Sequence, residues 1–431
     1  MKNNDFTIYI LALANASVVV GMGLITPSLL IIKNDFNLSA EIVQLVLTYY
    51  MVAAGLGQLI SGTLSDRFGR KPVLLAGGLL FGLSSMLSIF SHSIMPLLFL
   101  RVIQGLGAAA CMSMARVIIT DSYKKTEAAK KLSLMTAIMV IFPLASLILG
   151  GFIAETIGWI GTMYIFVLFG FILFISALFK IPETKINKLE TLDLRSISNS
   201  YLKVLQNSRF LIFTFIGAIN VGIFFSSFGF MPYEFARLGV SPLEFGFWLS
   251  FTGIGYFLGN MLNRQYASVF GIEKLIIFGN LLSVICYLSI LIMYLSGFSG
   301  PLFISIPLMF FGLGSGFTVA NCIIGGVSST GSHSGTATGI AGAMQMLSGG
   351  IMGTVIISLG GDQSFLVCIV FVSCLCTLSC LLSFLITKCF INSRIVGSYI
   401  HRPLYNIGVF YVVGRSNRVL LTFLPVFVSF T

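Results

Sequence analysis

Charged side chains are scarce in this sequence. Asp, Glu, Lys and Arg make up 9% of its 431 residues, against about 25% in soluble domains. With 57% hydrophobic residues and a mean hydropathy of +1.00, water is excluded as the main solvent. Histidine is nearly missing: His92, His333 and His401 stand far apart, which argues against a metal site. The cysteines (Cys111, Cys286, Cys322, Cys368, Cys374, Cys376, Cys380 and Cys389) form no Cys-x-x-Cys pair and have no histidine at ligand spacing. Most lie in apolar runs, where a free thiol acts as a small hydrophobe. No P-loop pattern occurs, and Gly312-x-Gly-x-Gly316 has no Lys after it, so ATP is not the direct energy source. No nucleophile–base pair is evident, so neither enzymatic chemistry nor a cofactor is expected. The apolar run from Ile8 is too long for a secretory signal and lacks a small-residue cleavage site.

What the sequence does contain is long apolar runs. Cutting at charges, Pro and Gly leaves twelve segments near 8–32, 44–65, 72–91, 95–120, 132–154, 160–180, 210–230, 244–262, 274–295, 301–325, 336–358 and 364–387. Each approaches the ~20 residues needed to span a bilayer as a helix. The expected fold is all-α, a membrane protein of twelve helices in two six-helix halves. Residues 1–180 form the first half, 181–208 a linker, 209–387 the second half and 388–431 a tail. With the N-terminus inside, the inner loops collect Arg67, Arg70, Lys71, Lys124, Lys125, Lys130, Lys131, Lys185, Lys188, Arg195, Lys203, Arg209, Arg264 and Lys274, and the outer side only Lys33 and Arg237. This asymmetry obeys the positive-inside rule and places both termini in the cytoplasm. The formal charge of +11 is thus a topology signal. Short basic runs without interleaved aromatics exclude nucleic acid as a partner. Val419–Phe430 is too short to cross, so the tail is expected along the inner interface through Tyr399, Tyr405 and Tyr411.

The most informative stretch is Gly62–Leu75, G-T-L-S-D-R-F-G-R-K-P-V-L-L, a knot of charge between two apolar runs. Gly62 and Gly69 suit a tight turn, Asp66, Arg67, Arg70 and Lys71 supply the charge, and Pro72 stands where a new helix can begin. The stretch resembles the signature loop between helices 2 and 3 of the major facilitator superfamily. The resemblance implies that the loop lies on the cytoplasmic face and that its Asp helps latch the two halves together. Weak internal repetition fits the same class. Gly62-x-x-x-Asp66-Arg67 is echoed by Gly259-x-x-x-Asn263-Arg264, Phe68-Gly69 by Phe270-Gly271, and Gly105-Leu106-Gly107 by Gly312-Leu313-Gly314.

Segment 4 carries Arg101, Gln104, Arg116 and Asp121. A guanidinium inside a span is costly unless paired or wetted, so it is functional by default. Arg101 is too deep for easy snorkelling, and Gln104 lies one turn away as a partner. Arg116 is nearer the cytoplasmic face, where it can snorkel or pair with Asp121. Further candidates for a substrate or proton path are Asn15, which could equally form an interhelical bond, at least one of Tyr49 and Tyr50, Asn220 with Phe224 on an aromatic stripe, Asn321 and Gln345. Gln44, Gly57-Gln58, the Arg101-Val-Ile-Gln-Gly run, Arg116, Asp121 and Gly335-Thr336-Ala337 resemble the bicyclomycin-resistance (Bcr/CflA) group of multidrug exporters. That resemblance implies export of small amphipathic compounds in exchange for protons. Two positions depart from the group's pattern. Segment 1 has Gly23 where an Asp is usual, and segment 5 has Ser146-Leu147 where Gly-Pro is usual, although Pro143, Gly150 and Gly151 remain as a packing hinge.

The expected protein is therefore a secondary transporter in a bacterial inner membrane, a monomer among lipids, exporting a drug-like or siderophore-like molecule, with protons as the coupling partner. An importer of a small anionic metabolite and a non-transporting receptor of the same fold are the competing readings. The acids available for coupling, Asp66, Asp121, Glu155 and Glu234, all avoid mid-depth.

Overall fold

The computed structural model describes residues 5–123, 125–139, 141–185 and 194–397. Met1–Lys388 form one compact unit, and Cys389–Thr431 form a second that begins within the last helix. Lys188 and the tail residues Tyr399, Tyr405, Tyr411 and Val419–Phe430 lie outside the described residues.

The chain is helical nearly throughout, with no strand among the described residues. In order come α1 (Asp5–Gly23), a 3-10 turn at Thr26–Ser28, α2 (Leu29–Asp35), α3 (Ala40–Phe68), α4 (Arg70–Ser88), α5 (Ile94–Ser122), α6 (Lys125–Met139), α7 (Ile141–Thr156) and α8 (Trp159–Lys180). Then follow α9 (Leu194–Leu205), α10 (Ser208–Arg237), α11 (Pro242–Phe270), α12 (Ile272–Leu295), α13 (Pro301–Ser328), a 3-10 turn at Gly331–His333, α14 (Ser334–Ser358) and α15 (Phe365–Gly397). Ten of these stretches, counting Thr7–Asp35 as one, are long and apolar enough to cross a membrane. The fifth expected segment begins earlier than its apolar run, because the basic, less hydrophobic α6 precedes the short apolar α7. The eighth, α11, has the length at 29 residues but is diluted by Gly, Ser, Thr, Tyr and Asn. The first span breaks where Pro27 stands in its 3-10 turn.

Local chemistry explains the boundaries. Gly69 closes α3 and opens α4 at φ 104, and Gly271 does the same between α11 and α12 at φ 81. Side chains rarely adopt this region, and glycine reaches it at no steric cost. Ser241 and Glu244 form a reciprocal capping box at the start of α11, satisfying two amide donors that the helix itself leaves unpaired. Asn207 caps α10 by accepting from the Phe210 amide at 3.0 Å.

The two halves repeat each other in their closest helix contacts. A Cβ at Gly107 would meet the Gly77 carbonyl oxygen at 2.7 Å, and one at Gly314 would meet that of Gly279 at 2.5 Å. Likewise a Cβ at Gly105 would lie 2.4 Å from the Tyr50 carbonyl oxygen, and one at Gly312 2.0 Å from that of Thr252. Small residues thus let α5 settle on α3 and α4, and α13 on α11 and α12. The expected pairing of Gly62 with Gly259 is corrected by this geometry. Gly259 packs on Leu313 as Gly57 packs on Leu106, whereas Gly62 has open space around it. Gly57 is therefore the counterpart of Gly259, and Asn263 is not the counterpart of Asp66.

The halves meet along two seams. In one, α3 runs along α14: Gln44 lies under Gly229 and Gly353, Thr48 bonds Thr354 at 2.8 Å, Met51 reaches Gly349, and Gln58 reaches Gly342. In the other, α7 meets α11. Gly151 lies against Pro242 and Leu243, Gly246 against Leu147, and Gly253 against Leu144. This second seam lies at the end of the bundle opposite the basic loops. The interval between the halves, expected only as a linker, contains α9, which touches both. Tyr201 donates to the Leu59 carbonyl of α3 at 3.0 Å, while Val204 packs with Ala337 and Ile340 of α14. Burial pushes the Tyr201 phenol up from its usual range, so it stays a donor at neutral pH.

Candidate functional site

Arg101 is fully enclosed, and its surroundings belong to the first half alone. Nε donates to the Val46 carbonyl of α3 at 3.1 Å and Nη2 to the Gly21 carbonyl of α1 at 2.9 Å, while Nη1 donates to Gln104 Oε1. The guanidinium lies 4.1 Å from the centre of the Tyr50 ring. Gln104 in turn donates to Ser85 Oγ on α4 at 2.6 Å, and the Tyr50 hydroxyl lies within 3.2 Å of the Ser17 and Val18 carbonyls. No carboxylate pairs with Arg101 among the described residues. The cation is instead spread over carbonyl dipoles and a ring face, a combination that offsets the cost of burial. Arg101 thus ties α1, α3 and α5 together. Tyr50 is buried with it, whereas Tyr49 is 40% exposed.

The loop residues form a second centre at the basic end. Arg70 donates to Asp66 Oδ1 and to Asp121 Oδ2, both at 2.9 Å, and to Ser65 Oγ at 2.6 Å. Lys185 reaches the same Asp66 oxygen at 2.8 Å, and the Arg70 amide donates to Glu183 at 2.9 Å. Lys71 caps the Leu178 carbonyl at the end of α8, and Arg67 lies over the Phe68 ring at 5.3 Å. Asp121 is therefore engaged by Arg70 and not by Arg116. The partners of Asp66 come from α4 and from the segment directly after α8, all on the first-half side of α9. Lys185 was read from sequence only as an inner-loop cation and Glu183 was passed over; an acid–base pair just past a span end was the available signal.

Arg116 turns towards the other half. It is half-buried, and its one hydrogen bond among the described residues runs from Nε to Asn15 Oδ1 on α1 at 3.0 Å. The phenol of Tyr256, from α11, is within electrostatic reach of it, and the Asn260 amide donates to the Tyr256 backbone carbonyl one turn back at 2.8 Å. Tyr256 and Asn260 are half-exposed too. They sit on the basic side of the Gly253–Leu144 contact, one and two turns further along α11. Sequence inspection passed over this pair, although two polar side chains four residues apart on one span are a readable sign of a common face.

The remaining candidates divide. Asn220 donates to Asn280 Oδ1 at 2.9 Å and Ser379 Oγ at 3.0 Å, linking α10, α12 and α15. Asn321 donates to Asn263 Oδ1 at 2.7 Å, linking α13 to α11. Both amides are buried inside the second half. Phe224, Phe225 and Phe228 stack on one another, with Phe224 half-exposed, and Gln345 is half-exposed on α14. In α7, Gly150 fits against the Leu24 carbonyl of the first half while Gly151 fits against Pro242 of the second, and the Pro143 carbonyl accepts from Ser146 at 3.1 Å. The two positions that depart from the exporter pattern face each other: a Cβ at Gly23 would lie 2.1 Å from Ser146 Oγ.

Residues 11–354 match the family model described as Major Facilitator Superfamily. A "Bicyclomycin resistance protein homolog" of Haemophilus influenzae is 26% identical over 372 residues, covering 83% of this chain and 90% of that protein. A "Chloramphenicol resistance protein" of Pseudomonas aeruginosa is 31% identical over 229 residues, 52% of this chain and 54% of that protein. Among solved structures, a D-xylose–proton symporter matches with a TM-score of 0.71 at 17% identity, over 88% of this chain and 97% of that one. A bacterial homologue of the human lysosomal transporter Spinster matches at 0.68 and 15% identity, over 90% of this chain and 98% of that one. Sequence match and helical architecture agree, and the chain belongs to the major facilitator superfamily.

Proposed function

We propose that this protein is a secondary active exporter of small drug-like or siderophore-like molecules in a bacterial inner membrane, working as a monomer by alternating access and driven by protons. One observation carries the reading. The two halves are sealed by backbone-to-backbone glycine contacts at one end, and between them, on the other side of that seal, lie half-exposed polar side chains from both halves. Rocking the halves about the seams would open the sealed end and carry a bound molecule across. The drug-resistance names of the relatives support export. The basic end is the cytoplasmic one by the charge rule, so the open side faces the compartment from which an exporter loads.

Everted membrane vesicles containing the protein should accumulate labelled chloramphenicol when energised, and a protonophore should abolish the accumulation. Accumulation that survives the protonophore removes proton coupling. Uptake confined to right-side-out vesicles reverses the direction and favours an importer.

The Asp66 cluster serves the conformational change in this reading, since none of its partners lies between the halves. Asp66→Asn is expected to cut turnover at least about ten-fold while leaving equilibrium binding within about two-fold, because it weakens two of Asp66's charge-assisted contacts, each worth roughly 1.5–3 kcal/mol, away from the ligand. Equal losses in both measurements would move Asp66 into the binding site.

A further inference from the structure

Among the described residues, the acids avoid the middles of the helices. Asp35, Glu41, Asp66, Asp121, Glu127, Glu155, Glu234, Glu244 and Glu273 stand in the first or last turn of their helices, and Glu183 and Asp362 lie outside helices. Arg101 and Arg116 sit well inside α5 instead. Of these two, Arg101 has its donors committed to Val46, Gly21 and Gln104 and is sealed from any ligand. Arg116 has only its Nε occupied, and the two terminal nitrogens of the guanidinium form no hydrogen bond among the described residues. An unfilled guanidinium fork is a strong, directional acceptor-binding device, well matched to a carboxylate or similar oxyanion.

We propose that Arg116, with Asn15 beside it and the Tyr256–Asn260 pair opposite, forms the polar end of a binding site for amphipathic organic anions, an aromatic or acyl body bearing one carboxylate, phenolate or sulfonate. The proposal rests on the reading of the space between the halves as the substrate path, and it adds the charge class of the cargo. A fixed cation in low-dielectric surroundings attracts an anion far more strongly than in water, and no interior carboxylate among the described residues competes for it. Lipophilic cations meet repulsion at the same place, with nothing to neutralise them. Tyr256 and Asn260 come from the second half and Arg116 and Asn15 from the first, so an anion held here touches both halves.

The test is binding by purified, full-length protein in detergent, followed through the fluorescence anisotropy of fluorescein, an aromatic anion. Fluorescein should bind the parent protein and be displaced by other aromatic carboxylates but not by tetraphenylphosphonium at equal concentration. Arg116→Gln should weaken fluorescein binding at least about ten-fold with an unchanged melting temperature, and Arg116→Lys should recover part of it. If Arg116→Gln fails to fold, Tyr256→Phe serves in its place and should weaken binding about three-fold. No fluorescein binding by the parent, unchanged binding by Arg116→Gln, or displacement by tetraphenylphosphonium as effective as by anions would each overturn the proposal. Because the assay uses no gradient, it separates from the vesicle experiment. Arg116-dependent binding without transport leaves the site standing and removes the transport cycle, whereas chloramphenicol export without anion binding does the reverse.

Discussion

Arg101→Ala is expected to lose its fold before it loses its activity. The substitution strands the Gly21 and Val46 carbonyls in an apolar interior, frees Gln104 and leaves a hole beneath Tyr50. Hydrogen bonds from a charged donor contribute roughly 1.5–3 kcal/mol each, so the loss should reach at least about 3 kcal/mol, a large part of a typical folding free energy. Arg101→Lys keeps the charge, but a single ammonium cannot reach acceptors on α1, α3 and α5 together, and it should recover little. Tyr50→Phe should be milder, near 1 kcal/mol, because it removes only one hydroxyl. Thermal unfolding in detergent and gel filtration decide the matter. A monodisperse Arg101→Ala protein with the parental melting temperature and no transport would place Arg101 in the transport mechanism and not in the framework.

Enlarging Gly151 should have the opposite signature, a folded protein that cannot cycle. A Cβ there would lie 2.3 Å from the Pro242 carbonyl oxygen and 2.8 Å from the Leu243 Cα. Both neighbours are backbone and cannot rotate away. Overpacking of this kind costs about 1–3 kcal/mol. At about 2 kcal/mol it shifts a two-state equilibrium roughly 30-fold away from the sealed arrangement. Gly151→Leu should therefore express and melt normally, transport at least about ten-fold more slowly, and expose a Leu243→Cys thiol to a membrane-impermeant maleimide. Gly107→Leu is the control. Its Cβ would lie 2.7 Å from the Gly77 carbonyl within one half, so the half itself should fail to assemble. If the Gly151 variant also unfolds, the α7–α11 contact is part of the static core and the halves do not part there.

These two residues show how far the sequence could be read. Arg101 announced itself through the cost of a guanidinium in a span, and Gln104 through helical spacing. The Gly21 and Val46 carbonyls left no mark, since every residue carries a carbonyl and only the fold decides which one is aimed at the cation. Without them Arg101 reads as a cavity charge. The Arg116–Asp121 pairing failed for a simpler reason: residues five apart lie about 140° apart around a helix, and Arg70 reaches Asp121 from α4 instead. Charge set among apolar runs made the Asp66–Lys71 turn visible at once. Helix α9 was hidden because its polar face matches that of a linker, and its docking through Tyr201 and Val204 depends on surfaces distant in the chain. The repeat was legible in its glycines, but its register was five residues out at Gly259, where only packing against Leu313 distinguishes the candidates.

The confinement of acids to the helix ends has an electrical consequence. A transmembrane voltage does work only on charge that changes depth, about 2.3 kcal/mol per elementary charge for a full crossing of 100 mV. In the second half the buried polar links described above, Asn220–Asn280–Ser379 and Asn263–Asn321, are neutral, so they add nothing to that half's response to the field. In the first half, α5 carries Arg101 and Arg116 away from its ends. In the proposed orientation, with the basic end inside, an inside-negative voltage pulls this helix towards that end and biases the first half relative to the second. A bound anion at Arg116 cancels part of that charge, so the loaded protein should feel the voltage less than the empty one.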